Sequence, residues 1–343
     1  MILQEILEKL QDVKVKNTYL YFITRVLKKD VKSKLSKVLD KFDFKVYQID
    51  VDDEIREHLH SLTIEQLNYI IAKKSELHEY DVITDDSEQL FTYPMVNKAL
   101  SFSDVVNNQL KSKVSKIVSL EEIIEEEELW AYCVGFYNKD NEENKWIYTF
   151  RKILSSKVAI NEKDGNKLNF AQKTLRTIFN VKAQQLELIE GETVNLDKQV
   201  DCIYYGDTFY IAKKTQFEQI VGLEVEYKIQ AIDVVAELEA TNMIEGLEII
   251  SQQIERNPAI HKKLVRLSKI GNYKTLDTKT IKKMEKVAKE FGFTVKLKNG
   301  KLFIENEGDI DLALKMLADY YKEGKVSGKS YGTFAGKELQ ITE

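Results

Sequence analysis

The hydrophobic period of this chain changes near residue 214, which confines it to a fold with a strand-rich part and a helix-rich part. Upstream, Trp130 to Tyr137, Lys145 to Ile153, Leu186 to Ile189, Val200 to Tyr205 and Thr208 to Ala212 are short apolar runs rich in aromatic and β-branched residues. Such runs suit a pleated, half-buried surface. Asn138-Lys139-Asp140-Asn141 separates the first two runs and Gly206-Asp207 the last two. Both are turn signals, so these pairs read as antiparallel hairpins. Downstream, Thr215 with Glu218 opens a helical stretch through an acidic segment to Ile254. Pro258 starts another helix, which Gly271 ends, and Leu276-Asp277 staples and caps a third to Glu290. Asn299-Gly300 turns a hairpin, and a last helix covers Ile310 to Tyr321.

The first 120 residues mix both periods. Ile2, Leu3, Ile6, Leu7 and Leu10 form one face of an amphipathic helix, and Thr18 to Arg25 and Phe44 to Val51 read as strands. Asp52 caps a helical run that is predicted to break near Thr63, where Thr-Ile-Glu-Gln forms a capping box. The expected fold is α+β. A mixed α/β domain covers residues 1–120, and a second domain covers 121–343, mostly antiparallel strand through 213 and helical from 214 on.

At 343 residues, with 43% hydrophobic and 10% aromatic, the chain can fill two cores. Cys133 and Cys202 are too few for a disulfide framework and wrongly spaced for zinc, which fits a reducing cytoplasm. Glu5, Glu8 and Lys9 interrupt the N-terminal apolar residues, so no signal peptide is read. No run of eighteen uncharged apolar residues occurs, so any link to a membrane has to come through a partner. A cytoplasmic location is expected, with recruitment to the inner membrane only by such a partner.

The formal net charge of −5 conceals a reversal. Residues 218–255 hold nine acidic residues and one basic, whereas residues 256–301 hold fourteen basic and three acidic. At 100° per residue, Lys279, Lys282, Lys283, Lys286 and Lys289 fall within an arc of about 120° on one helix, opposite Ile281, Met284, Ala288 and Phe291. Lys262, Lys263, Arg266, Lys269 and Lys274 extend this stripe if the two helices pack side by side. Together these ten are the candidate polyanion-binding residues. Two other readings stand beside this one: a solvated helix face, and an interaction module whose lysines pair with Glu237, Glu239, Glu245 or Glu248. A second basic run, including Lys28, Lys29, Lys32, Lys34 and Lys37, reads as an exposed helix, and Glu121 to Glu128 as a solvated helix end.

Catalytic signals are weak. Asp207 with Glu226 and Lys228 supplies the residue set of a metal-dependent nuclease, but Glu224 to Lys228 reads as helical where such a core needs a strand. Gly324 to Ser330 falls one residue short of a phosphate loop and follows a helix. His58 and His60, two apart on a helix, diverge and read as solvent-exposed, so no metal site and no cofactor is expected.

Trp130-Ala-Tyr-Cys-Val-Gly-Phe with Tyr148-Thr-Phe-Arg-Lys, then Asp201-Cys-Ile-Tyr-Tyr-Gly-Asp207-Thr-Phe-Tyr-Ile211 running into Phe217-Glu218, resembles the Kiwa protein KwaB-like family. Leu264 to Gly271, the lysine helix, the hairpin, and Gly328-Lys329-Ser330-Tyr331 with Lys337 follow that family's order of blocks, so the resemblance covers about residues 125–340. It implies a component of bacterial anti-phage defence. The KwaB-type protein of Kiwa is a soluble DNA-binding subunit that works with a small membrane protein and impedes phage replication and transcription. The family also includes proteins encoded without that partner, and no catalytic motif carries over. Phage DNA is the expected partner, and a homodimer the expected oligomer.

Overall fold

A computed structural model of the chain describes residues 2–28, 42–73, 76–82, 89–95, 100–112, 115–116, 127–139, 145–153, 159–160, 167–168, 177–180, 185–188, 196, 199–324 and 326–333. The basic run from Lys29 to Lys37, the acids from Glu121 to Glu126, and Lys337 lie outside these residues. Two compact units divide the chain: residues 1–36, 41–78 and 89–221 form one, and 37–40, 79–88 and 222–343 the other. The architecture is α+β.

The elements up to Val221 begin with α1 (Ile2–Gln11), β1 (Thr18–Leu27), β2 (Phe42–Ile49), α2 (Asp53–Lys73), β3 (Glu76–Glu79), β4 (Gln89–Pro94) and β5 (Ser115–Lys116). After β6 (Glu128–Tyr137) and β7 (Trp146–Lys152) come two antiparallel pairs, β8 (Ala159–Ile160) with β9 (Lys167–Leu168) and β10 (Thr177–Asn180) with β11 (Gln185–Leu188). β12 (Cys202–Tyr205), β13 (Thr208–Ile211) and α3 (Lys214–Val221) complete the series. Nine strands form one sheet in the order β3-β4-β13-β12-β7-β6-β1-β2-β5. Neighbours from β4 to β2 are antiparallel, and β5 joins β2 in parallel.

Side chains two apart share a face of a strand, and the register lines them up across the sheet. Tyr21, Cys133, Phe150, Cys202, Ile211 and Phe91 form one row. On that face Phe150, Phe209, Phe217 and Phe102 make edge-to-face contacts, with centroids 5.3 to 5.9 Å apart. The opposite face, with Leu20, Phe22, Val134 and Ile203, packs with Leu3, Ile6, Leu7 and Leu10 of α1 and Leu59, Leu67 and Ile70 of α2. Each such fully buried side chain contributes roughly 1.5–3 kcal/mol relative to exposure. The Cys133 and Cys202 thiols are buried on either side of Phe150, and burial pushes both pKa values well up.

Three expectations change here. The boundary near residue 120 falls inside this sheet, because β1 pairs with β6 from Thr18↔Phe136 to Arg25↔Glu128; the compact units divide at Val221 and Gly222. Helix α2 runs unbroken through Thr63, whose hydroxyl donates to the Leu59 carbonyl at 2.7 Å and so caps nothing. His60 is buried, with Nε2 3.1 Å from the Leu10 carbonyl oxygen.

The second unit contains α4 (Glu224–Ala240), β14 (Ile244–Glu245), α5 (Leu247–Arg256), α6 (Pro258–Ile270), α7 (Thr278–Glu290), β15 (Leu297–Lys298), β16 (Lys301–Phe303), α8 (Glu307–Leu317), β17 (Tyr321–Glu323) and β18 (Ser330–Gly332). The stretch expected as one helical run from Thr215 to Ile254 is three helices. Gly222 (φ +75°) and Gly246 (φ +89°) break it, and Ile244-Glu245 pairs in parallel with Leu302-Phe303. Gly246 is obligatory there, since a Cβ would lie 1.9 Å from the Ile304 carbonyl oxygen. The last helix ends at Leu317, after which Tyr321–Glu323 leaves as a strand paired with Ser330–Gly332. Ala231, Leu238, Ile250, Leu264, Ile281 and Leu314 are among the residues of this unit's own core.

Candidate nucleic-acid interface

Helix α7 is defined at both ends by its own residues. Asp277 accepts hydrogen bonds from the Thr280 amide and hydroxyl, each at 2.7 Å. These bonds, and then the charge of Lys279, hold the Asp277 carboxyl below its ordinary pKa. At the other end Gly292 takes φ +77°, and the Phe293 amide donates to the Ala288 carbonyl at 2.8 Å, which stops the helix. Ile281 and Ala288 are buried and Met284 packs against the core, so the opposite face is turned outward.

That outward face presents Lys279, Lys282, Lys283, Lys286 and Lys289, all exposed. Lys286 lies 3.8 Å from Glu290 and Lys289 2.8 Å from Glu285, both along the same helix. Exposed pairs of this kind contribute about 0–1 kcal/mol and yield readily to a stronger anion. Among the described residues, Lys279, Lys282 and Lys283 have no ion pair.

The five basic residues outside α7 are placed differently. Lys263 binds Asp311 at 2.5 Å, and Asp311 also takes Lys315 at 2.7 Å. Burial would raise the Asp311 carboxyl, but these two lysines outweigh it and hold the pKa low. Lys262 is half-buried, with its ammonium 5.9 Å from the centre of the Tyr227 ring, and Arg266 is half-buried as well. Lys274 lies 3.6 Å from Glu237, a carboxylate that also accepts from the buried Tyr273 hydroxyl. Burial, then that bond, pushes the Tyr273 pKa to about 12. Lys269 is exposed. Of the glutamates able to tie lysines down, Glu237 takes Lys274 and Glu245 takes Lys298 at 3.6 Å. Among the described residues, neither pairs with a lysine of α7.

The nuclease set is divided between the units. Asp207 occupies the β12–β13 turn of the first (φ +56°), accepts from the Tyr204 hydroxyl at 3.0 Å and lies 3.6 Å from Lys111. Glu226 and Lys228 lie on α4 of the second, a helix as expected, and Lys228 pairs with Glu255 at 2.7 Å. Among the described residues, no group of three or more His, Cys, Asp or Glu is placed to hold a metal ion. Of the Gly324 to Ser330 run, Gly324 and Val326 to Ser330 lie at the end of the β17–β18 hairpin, and among the described residues no helix follows them.

Sequence reasoning placed Phe291 on the apolar side of α7 but missed the ring cluster it joins. Phe291 and Phe293 each lie 5.2 Å, ring centre to ring centre, from Tyr321 of β17. Phe291-Gly292 reads as the stop of this helix, and the strand that brings Tyr321 there was expected as helix.

The fold and this site define an α+β protein that displays a lysine-lined helix. Residues 126–326, more than half of the chain, match the family described as Kiwa protein KwaB-like, and the chain belongs to that family. Membership implies a component of Kiwa anti-phage defence. No curated protein and no solved structure gives a match. Among the described residues, no helix is long and apolar enough to cross a membrane.

Proposed function

We propose that this chain is the DNA-binding effector of a Kiwa-type defence system, holding the phosphate backbone through α7 with little sequence preference. The observation that supports this is the display of five exposed lysines on a helix whose other face is fixed in a core. From Lys279 to Lys289 the helix rises about 15 Å, the length of about four base-pair steps. Lysine is a point charge on a flexible stem, suited to phosphate, whereas base readout favours the planar forks of arginine and asparagine. In the same reading Lys262, Lys263, Arg266, Lys269 and Lys274 add positive charge to the DNA-binding surface. In this reading the protein is cytoplasmic and homodimeric, and a small membrane protein recruits it to the inner membrane.

Titrating the purified protein onto a labelled DNA duplex at low salt tests the function. Binding that differs little between unrelated sequences is expected. Absence of binding to DNA of either form, duplex or single strand, at low salt rejects the effector reading, and cleavage of the duplex on adding magnesium or manganese replaces it with a nuclease.

A further inference from the structure

The end of α7 names the form of DNA more closely than charge does, and the inference rests on the reading above. Phe293, one turn beyond Lys289, is anchored by the hydrogen bond its N–H donates to the Ala288 carbonyl, yet the residue is 43% exposed. A single exposed aromatic ring is ordinary. This one belongs to a group. Tyr321 lies between Phe291 and Phe293, and Tyr320 meets it edge-on at 5.2 Å. On the paired strand Tyr331 is 48% exposed and lies opposite Lys322. Glycine makes room for the rings: a Cβ at Gly332 would lie 2.5 Å from the Tyr320 ring, and one at Gly324 would lie 3.0 Å from the Tyr331 ring. Lys286 and Lys289 on the last turns of α7 and Lys329 in the hairpin are exposed, and Lys289 precedes Phe293 by four residues.

Charge alone suits any polyanion, whereas an exposed ring just past the end of a lysine-lined helix suits one whose bases are unstacked. In a duplex the bases offer only their edges to a protein; in a single strand they offer their faces. We propose that Phe293, backed by Tyr321, is a stacking platform for an unpaired base, so that the protein prefers single-stranded or locally opened DNA. The phosphates lie along the α7 lysines, and a base leaves the strand to lie on Phe293.

Fluorescence anisotropy at one low salt concentration, with a homothymidine strand of about 20 nucleotides, longer than a typical single site, and a blunt duplex of equal length, decides this. Phe293→Leu keeps apolar packing on Tyr321 but removes the π face. It should weaken strand binding roughly tenfold or more, leave duplex binding and the thermal midpoint unchanged, and be rescued by Phe293→Trp. Strand binding unaffected by Phe293→Leu, or strand and duplex weakened equally, overturns the platform. A wild-type protein that binds duplex but not strand overturns the platform and leaves the DNA-binding reading intact. One that binds neither overturns both.

Discussion

Glu127 shows how far a residue can depart from what its neighbours in sequence suggest. It is the last but one of an acidic run expected to be solvated, yet it is buried beside β6 and accepts hydrogen bonds from Thr24, Lys45 and the Tyr47 hydroxyl. A run of like charges in sequence does not reveal that strands β1 and β2 bring donors to one of its members. Burial raises the Glu127 pKa, but the bonds from Lys45, Thr24 and Tyr47 together outweigh it and hold the carboxyl below 4.5. A carboxylate with a lowered folded pKa adds stability above its unfolded value, and this is lost as pH falls through the folded value. Glu127→Gln should therefore cost about 1–3 kcal/mol at pH 7 in urea unfolding. The gap from wild type should close as the pH is lowered past about 4. A gap constant with pH would show that Glu127 acts by shape alone.

At the scale of elements, residues that impose a backbone conformation were readable. Asp277 caps α7, Gly271 ends α6 at φ +74°, and Asn299-Gly300 turns the β15–β16 hairpin at φ +53° and +76°. Gly222 and Gly246 are signals of the same kind, but they lie in a stretch whose helical period continues on both sides, so the period masked the breaks. The strand at Tyr321 escaped for a different reason: its pairing with Ser330–Gly332 is tertiary information. Gly292 offers a clean test of a helix stop, since φ is +77° and nothing lies within 4 Å of where a Cβ would stand. Gly292→Ala should destabilise the protein by about 1 kcal/mol from backbone strain alone. A neutral effect in denaturant unfolding would mean that the left-handed stop contributes nothing.

Over the whole molecule, the α+β class was legible because the change of period at residue 214 lies close to the division at Val221 and Gly222. The boundary near residue 120 was not, because texture changes there while the β1–β6 pairing runs across it. The lysine stripe was legible from helical spacing alone; which of the other lysines were already paired was not, since Asp311 and Glu237 reach Lys263 and Lys274 from other elements. Two cores predict separate responses to damage. Gly246→Ala drives a methyl group into the Ile304 carbonyl and should cost roughly 3 kcal/mol or more. Hydrogen exchange should then quicken through α4 to α8 while β1, β6 and β7 keep their protection. Equal loss of protection in both would mean a single cooperative unit.

The central claim is that α7 meets phosphates. Its most direct test is the dependence of duplex affinity on salt for the wild type and for a variant with Lys279, Lys282, Lys283 and Lys286 all changed to alanine. Each lost phosphate contact removes about 0.9 from the slope of log affinity against log salt, so the slope should flatten by roughly three to four units. A variant that binds with the wild-type slope would contradict the claim and place the DNA elsewhere on the protein.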